Sequence, residues 1–203
     1  MATLLKRCRL ITENCVEKGK DELERIVRGC IQKDSKCQEE LFRMLYGKMM
    51  SVCMRYSKDE DTAQEILQVS FIKVFDKLDK YDFNGSFEGW VRRIVVNTAI
   101  DNIRKSNRDP FSSSEDYLYV DEDEIEVDDA SEQDVEVKAA EAMKALQQLS
   151  PAYQAVFNLY VIENYSHKEV AEILGISEGT SKSNLAKAKK RLQEILQNKI
   201  VGI

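Results

Sequence analysis

The sequence predicts an all-α fold of two helical domains joined by a flexible acidic linker, the second containing a helix-turn-helix. Three observations predict it. Apolar residues recur at three- and four-residue spacing through two long blocks, and no segment alternates with period two. Between the blocks, from Glu115 to Glu136, lie twelve acids and no base. The chain has only two prolines, with 43% hydrophobic and 33% charged residues, a balance that suits a helical protein rather than a sandwich or a wholly disordered chain.

The elements follow in order. Residues 1–21 are mildly basic and lack periodicity, so they form a lead-in. Leu23, Ile26, Val27, Cys30 and Ile31 then mark a first helical stripe. Ser35 with Gln38 is the expected cap of the next helix, whose apolar residues are Leu41, Phe42, Leu45, Met49, Val52, Cys53 and Tyr56. After the polar break at 57–61, Ala63, Ile66, Leu67, Phe71, Val74, Phe75 and Leu78 form the core stripe of a third helix, and Asp61, Glu65, Gln68 and Lys73 lie off it. Asn84-Gly85 is a turn dipeptide and Ser86 a cap. The fourth helix, from about Phe87 to Lys105, is expected to bury Trp90, Ile94, Val95 and Ile103 and to carry Arg92, Arg93, Arg104 and Lys105 elsewhere. These four helices give a first domain over 22–107, and residues 108–134 are a linker too charged to pack.

Helices resume in a second domain, 135–203. Ser150-Pro151 is a helix start, because proline is pre-set for the first turn, and Tyr153, Val156, Phe157, Tyr160 and Val161 follow at helical spacing. Ser166 with Glu169 makes a capping box for a short helix with Val170, Ala171, Ile173 and Leu174 on one face. Gly175 sits where the chain leaves that helix through positive φ. Ser177 caps a longer helix lined by Leu185, Ala188, Leu192, Ile195 and Leu196. A short helix, a tight turn and a helix bearing Lys182, Lys187, Lys189, Lys190 and Arg191 form a helix-turn-helix, with the second helix offered to the DNA major groove.

A net charge of −6 argues against a nucleic-acid binder only as an average. Setting aside the −12 of residues 115–136 leaves +6 for the rest, so both flanks are basic. The N-terminus lacks the apolar run of a secretory signal and no stretch reads as a membrane span, so the expected location is the cytoplasm. Cys8, Cys15, Cys30, Cys37 and Cys53 are odd in number and lack zinc-site spacing. Reduced thiols are expected, with Cys30 and Cys53 as small buried hydrophobes. No metal or cofactor site is expected.

Taken together, three blocks resemble the extracytoplasmic-function (ECF) subgroup of the bacterial sigma-70 family, over about residues 22–198. The run DEDTAQEILQVSFIKVFDKL resembles the helix that binds core RNA polymerase, FNGSFEGWVRRIVVNTAIDNIRK the promoter-melting segment, and residues 146–192 the minus-35 domain. The resemblance implies a sigma factor that binds core RNA polymerase and promoter DNA, recognises the minus-35 and minus-10 elements and promotes melting. Many members also have an anti-sigma partner. Asp61, Glu65 and Gln68 are then the polymerase contacts. The loop Phe83, Asn84, Gly85, Ser86, Phe87 and Glu88, with Asn97, is the element that holds a base extruded from the minus-10 strand. An amide both donates to and accepts from a base edge, and a glycine leaves room for it. Phe83, Phe87 and Trp90 are candidates for stacking on bases, although Trp90 heads the apolar stripe and reads first as core. Arg92 and Arg93 would hold phosphates.

Thr180, Lys182, Ser183, Asn184 and Lys187 occupy the first two turns of the recognition helix, the end that meets bases. The family often has arginine where this chain has Lys182, Lys187 and Lys189. Lysine lacks the bidentate fork, so phosphate affinity rather than base specificity is expected there. Ser181 replaces the usual apolar residue, which weakens the inner packing or rotates the helix axis. A stand-alone helix-turn-helix regulator is the rival function, but it has no use for the melting block. A nuclease using the acidic run is the other rival, and that run has no basic or histidine partner nearby. The single histidine, His167, reads as a surface residue at a helix start.

Overall fold

The computed structural model describes residues 21–106 and 141–200, and all regular structure in them is helical. The lead-in and the acidic linker lie outside the described residues. Helix α1 covers 21–31, α2 Ser35–Met54, α3 Glu60–Lys77 and α4 Phe87–Ser106. A second group contains α5 (141–146), α6 (Pro151–Phe157), α7 (His167–Leu174) and α8 (Glu178–Ile200).

In the first group α2, α3 and α4 pack mutually through the stripes their sequences carry. Leu41, Met49, Leu67, Val74, Val91, Val95 and Ile100 are among the most buried side chains, and Phe42 meets Phe71 edge to face with centroids 4.7 Å apart. Helix α1 comes so close to α2 that a Cβ on Gly29 would lie 2.3 Å from Cys37 Sγ. A glycine is therefore required there. Lys33 turns the chain at φ 62°, and Asp34 caps α2 by accepting from Lys36 N and Cys37 N. The expected cap, Ser35, is instead the first helical residue. The charged acceptor at 34 stands one residue earlier, outside the helix, where its carboxylate reaches the orphan N–H groups.

Burial corrects the stripes in a few places. Ile31 and Val161 are 41% and 42% exposed, and Ile94 and Trp90 are only partly covered. Cys30, Cys37 and Cys53 are buried free thiols. Burial pushes the Cys30 thiol up to about 11 and the Cys53 thiol up to about 12. Both stay protonated and act as small hydrophobes, as expected.

In the second group α8 lies across α6 and α7. Ser150 caps α6 with Pro151 at its start. Helix α6 then widens into a π turn, Asn158–Ile162, in which Glu163 N donates to Asn158 O at 2.9 Å. Residues five apart diverge around a regular α-helix, whereas an i→i+5 turn brings them to one side. Asn158 and Glu163 thus face the first group together. No helix among the described residues is long and apolar enough to cross a membrane.

Candidate nucleic-acid interface

The helix-turn-helix forms by local rules. Ser166 Oγ accepts from Glu169 N, and the Glu169 carboxylate accepts from Ser166 N at 2.8 Å, which completes the capping box. Those bonds hold the Glu169 carboxyl below its ordinary value. Gly175 leaves α7 at φ 69°, a conformation that strains any residue with a Cβ. Three residues later α8 begins, with Thr180 N donating to Ser177 Oγ at 3.0 Å. The Thr180 hydroxyl shares that cap, 2.8 Å from Ser177 Oγ.

On α8 the buried positions are Ser181, Leu185, Ala188 and Ile195. Lys182 is exposed, and Ser183, Asn184 and Lys187 are partly exposed on the remaining surface. Lys182 pairs with Glu178 at 3.1 Å, with side chains 62% and 53% exposed. Such a pair is worth about 0.3–0.5 kcal/mol and yields easily to a phosphate. Ser181 neither loosens the helix nor faces water. Its Oγ lies 2.9 Å from His167 Nδ1, and the His167 ring stacks on Tyr160 with centroids 4.2 Å apart. His167 is therefore a partly buried tie between the two helices rather than a surface residue. The serine is satisfied by a partner fourteen positions earlier, which its own neighbours do not announce.

The second surface is the outer side of α4. Ser86, Gly89, Arg93 and Asn97 are all exposed at three- and four-residue spacing, so they share one face. At its start the aromatic residues gather into a corner. Tyr81 touches Phe83, Phe87 and Trp90 with centroids 5.0–5.5 Å apart. Phe87 is 4% exposed and belongs to the core, so the stacking role expected of it is withdrawn. Phe83 is the aromatic that the corner presents. It is 39% exposed, carries the Arg28 guanidinium 5.4 Å from its ring centre and sits at φ 60°. A non-glycine residue there costs about 1–3 kcal/mol, and such strain clusters at functional sites. The loop is fixed around it: Tyr81 Oη donates to Gly85 O at 3.2 Å, Asn84 donates to Asp82 through both its amides, and Ser86 caps α4 through Gly89 N.

The third surface is on α3. Asp61, Glu65 and Gln68 are exposed, and they are joined by Val69 (46% exposed) and Ile72 (62%). Those two apolar residues were missed in the sequence. The signal was present: they interrupt the polar face of an amphipathic helix, where nothing among the described residues covers them.

Arg92 lies elsewhere. It forms a fork with the Glu163 carboxylate, Nε to Oε2 at 2.6 Å and Nη2 to Oε1 at 2.9 Å, and Arg55 Nη2 joins at 3.0 Å. The Glu163 side chain is 7% exposed. These bonds raise the Arg92 pKa above its ordinary value. Asn158 Nδ2 donates to Arg55 O at 2.6 Å and Gln147 Nε2 to Met54 O at 3.4 Å, so a polar seam joins the two helical groups. Five buried polar atoms among the described residues lack a hydrogen-bond partner, on Arg55, Tyr56, Ser57, Gln154 and Asn158. Those on Arg55 and Asn158 belong to residues of this seam, and each such atom costs about 1–3 kcal/mol.

The geometry is that of an all-helical protein with a helix-turn-helix and, on α4, a second exposed polar face that carries Arg93 and Asn97. Comparison with known families narrows this. Sigma-70 region 2 matches residues 41–109 and Sigma-70 region 4 matches residues 139–192. The chain belongs to the sigma-70 family and is of the ECF type. It is 28% identical over 162 residues to the ECF RNA polymerase sigma factor SigE of Mycolicibacterium smegmatis, covering 78% of this chain and 61% of that protein. It is 29% identical over 163 residues to the ECF RNA polymerase sigma factor SigW of Bacillus subtilis, covering 74% and 84% respectively. Among solved structures, the sigma factor RpoE of Bartonella quintana, crystallised with the anti-sigma factor NepR, aligns with a TM-score of 0.48 and 22% identity, over 78% of this chain and 96% of that one.

Proposed function

We infer that this chain is a transcription initiation factor that binds core RNA polymerase, engages the minus-35 and minus-10 promoter elements and promotes melting between them. The observation that supports this reading is the order of the two matched regions, together with two exposed polar faces, the Arg93 and Asn97 face of α4 and the lysine-bearing first turns of α8. A stand-alone regulator needs only the second. In this reading 22–107 is the polymerase and minus-10 domain, 108–134 the linker and 135–203 the minus-35 domain. Asp61, Glu65 and Gln68, extended by Val69 and Ile72, form the polymerase face. Phe83, Asn84, Gly85, Ser86, Arg93 and Asn97 meet the minus-10 strand, with Arg92 on its backbone and Trp90 supporting the corner. Thr180, Lys182, Ser183, Asn184 and Lys187 meet the minus-35 duplex.

The chain itself then makes and breaks no covalent bond, and the chemistry of RNA synthesis belongs to the polymerase. It works in the cytoplasm, where promoter DNA is, and an anti-sigma protein is a further partner of this class. Reconstitution with core RNA polymerase on a library of promoter fragments tests the reading. Transcripts from a defined subset are expected, and none at all from a competent core enzyme would end it. On a duplex promoter Asn97→Ala is expected to slow opening about fivefold, the low end of what one lost base contact costs. On a template already unpaired at the minus-10 element the loss should be smaller, because the cost of extruding the base has been removed.

A further inference from the structure

We propose that His167 and Ser181 are a positioning pair for promoter recognition: their contact fixes the orientation of the first two turns of α8 and thereby which minus-35 bases the chain prefers. This rests on the reading of α8 as the minus-35 helix. The run SEGTSKSN, residues 177–184, contains no large apolar side chain. The nearest apolar anchors are Ile176, before the cap, and Leu185, beyond the run. Between those anchors Ser181 alone is buried, at 0% exposure, and it is flanked by the residues offered to bases, Thr180, Lys182, Ser183 and Asn184. Apolar packing is non-directional and tolerates a small rotation of a helix. A hydrogen bond weakens steeply away from its preferred distance and angle. The reading end of α8 is thus tied down by a directional contact, Ser181 Oγ to His167 Nδ1 at 2.9 Å.

His167 is itself fixed from the other side. Its ring stacks on Tyr160, with centroids 4.2 Å apart and 21° between the planes. Tyr160 stands in the π turn, next to the buried Leu159. The capping box between Ser166 and Glu169 holds the backbone around the histidine. A path of ring, ring and hydroxyl therefore runs from the core of the second group to the reading end of α8. His167 acts through Ser181 and need not touch DNA. Recognition groups work only within about 0.5 Å of their productive geometry. A small swing of the first turn therefore changes which base edges Thr180, Ser183 and Asn184 reach, while phosphate attraction, which carries no sequence information, persists.

His167→Phe keeps a ring on Tyr160 and removes Nδ1, Ser181→Ala removes the hydroxyl, and the double variant removes both. Each full-length chain is reconstituted with core RNA polymerase on a promoter library randomised only at the minus-35 element, and the transcripts are sequenced. Both single variants should lose the same wild-type base preference, by about fivefold or more at one position at least, the worth of one base contact. The double variant should lose no more than either single, because all three lack the same bond. Ser150→Ala removes the cap of α6 and leaves the pair intact, so it should lower total transcript and keep the base preference. If wild type initiates and the single variants keep its preference whatever their yield, or if Ser150→Ala shifts it equally, the pair is merely structural and the proposal is overturned. Additive shifts in the double variant would also overturn it, since the two residues would then act separately. No transcript from wild type with a competent core enzyme would instead end the sigma-factor reading, and any minus-35 role for the pair with it.

Discussion

Arg92 on α4 and Lys182 on α8 are both cations paired with a glutamate, and the two pairs behave differently. Arg92 grips a carboxylate that is 7% exposed and belongs to the other helical group. Lys182 reaches a carboxylate that is 53% exposed, four residues away on its own helix. The first pair joins parts of the molecule and resists screening, and the second is a surface ornament that salt or DNA removes. Basic residues of similar appearance in the sequence thus differ in whether they are available to DNA. Availability is decided by what the rest of the chain places against them.

Deleting the acid of each pair breaks this comparison most directly. Glu163→Ala should cost about 3 kcal/mol of urea-unfolding free energy, the low end for one partner of a buried pair, because Arg92 is about a third exposed and can reach water. Glu178→Ala should cost no more than about 0.5 kcal/mol. If the two losses are equal, the seam is no stronger than a surface contact. On the DNA side, Lys182→Ala and Lys187→Ala should each weaken minus-35 binding and lower the log-affinity against log-salt slope by about one. An unchanged slope would place those lysines away from phosphates and leave α4 as the main electrostatic surface.

A smaller effect separates the inner side of α8 from its outer side. Ser181→Ala removes the bond to His167 and should lower stability by about 1 kcal/mol, read from thermal unfolding, with little change in the salt slope. Lysine substitutions on the outer side should do the reverse. A stability unchanged by Ser181→Ala would mean that the Tyr160 stack alone positions the histidine.

What was legible in the sequence follows the distance over which each feature is determined. The capping box at Ser166, the left-handed Gly175, the Ser150-Pro151 start and the cap at Ser177 depend on residues within four positions, and each stands where it was read. The cap of α2 slipped from Ser35 to Asp34, because adjacent polar residues offer the same chemistry and only the backbone chooses. Phe87 was misjudged because an aromatic beside a turn suits either a core or a stacking platform until burial is known. The Glu163 seam had no local signal. Arg92 and Arg55 lie 71 and 108 residues before Glu163, and the π turn that aims Glu163 at them has no sequence signature. Val69 and Ile72 were legible as apolar residues beside Asp61, Glu65 and Gln68 on the outer face of α3, off the stripe that packs inward.

The smallest effect concerns the cap that sets the angle of α7, and through it the approach of the Ile173 carbonyl to Arg104. The Glu169 carboxyl is held below its ordinary value of 4.5 by bonds from the Ser166 backbone and hydroxyl. A depressed pKa means that the folded protein binds the proton less readily than the unfolded chain. The contribution is therefore fully present above about pH 5 and is lost as pH falls through the folded value. Glutamine can occupy the same place in a capping box without titrating. The urea midpoint of wild type should drop more than that of Glu169→Gln between about pH 6 and about pH 3. If Glu169→Gln and wild type lose stability in parallel, the acid sensitivity of the chain resides in other carboxylates, and the capping box works through the Ser166 oxygen alone.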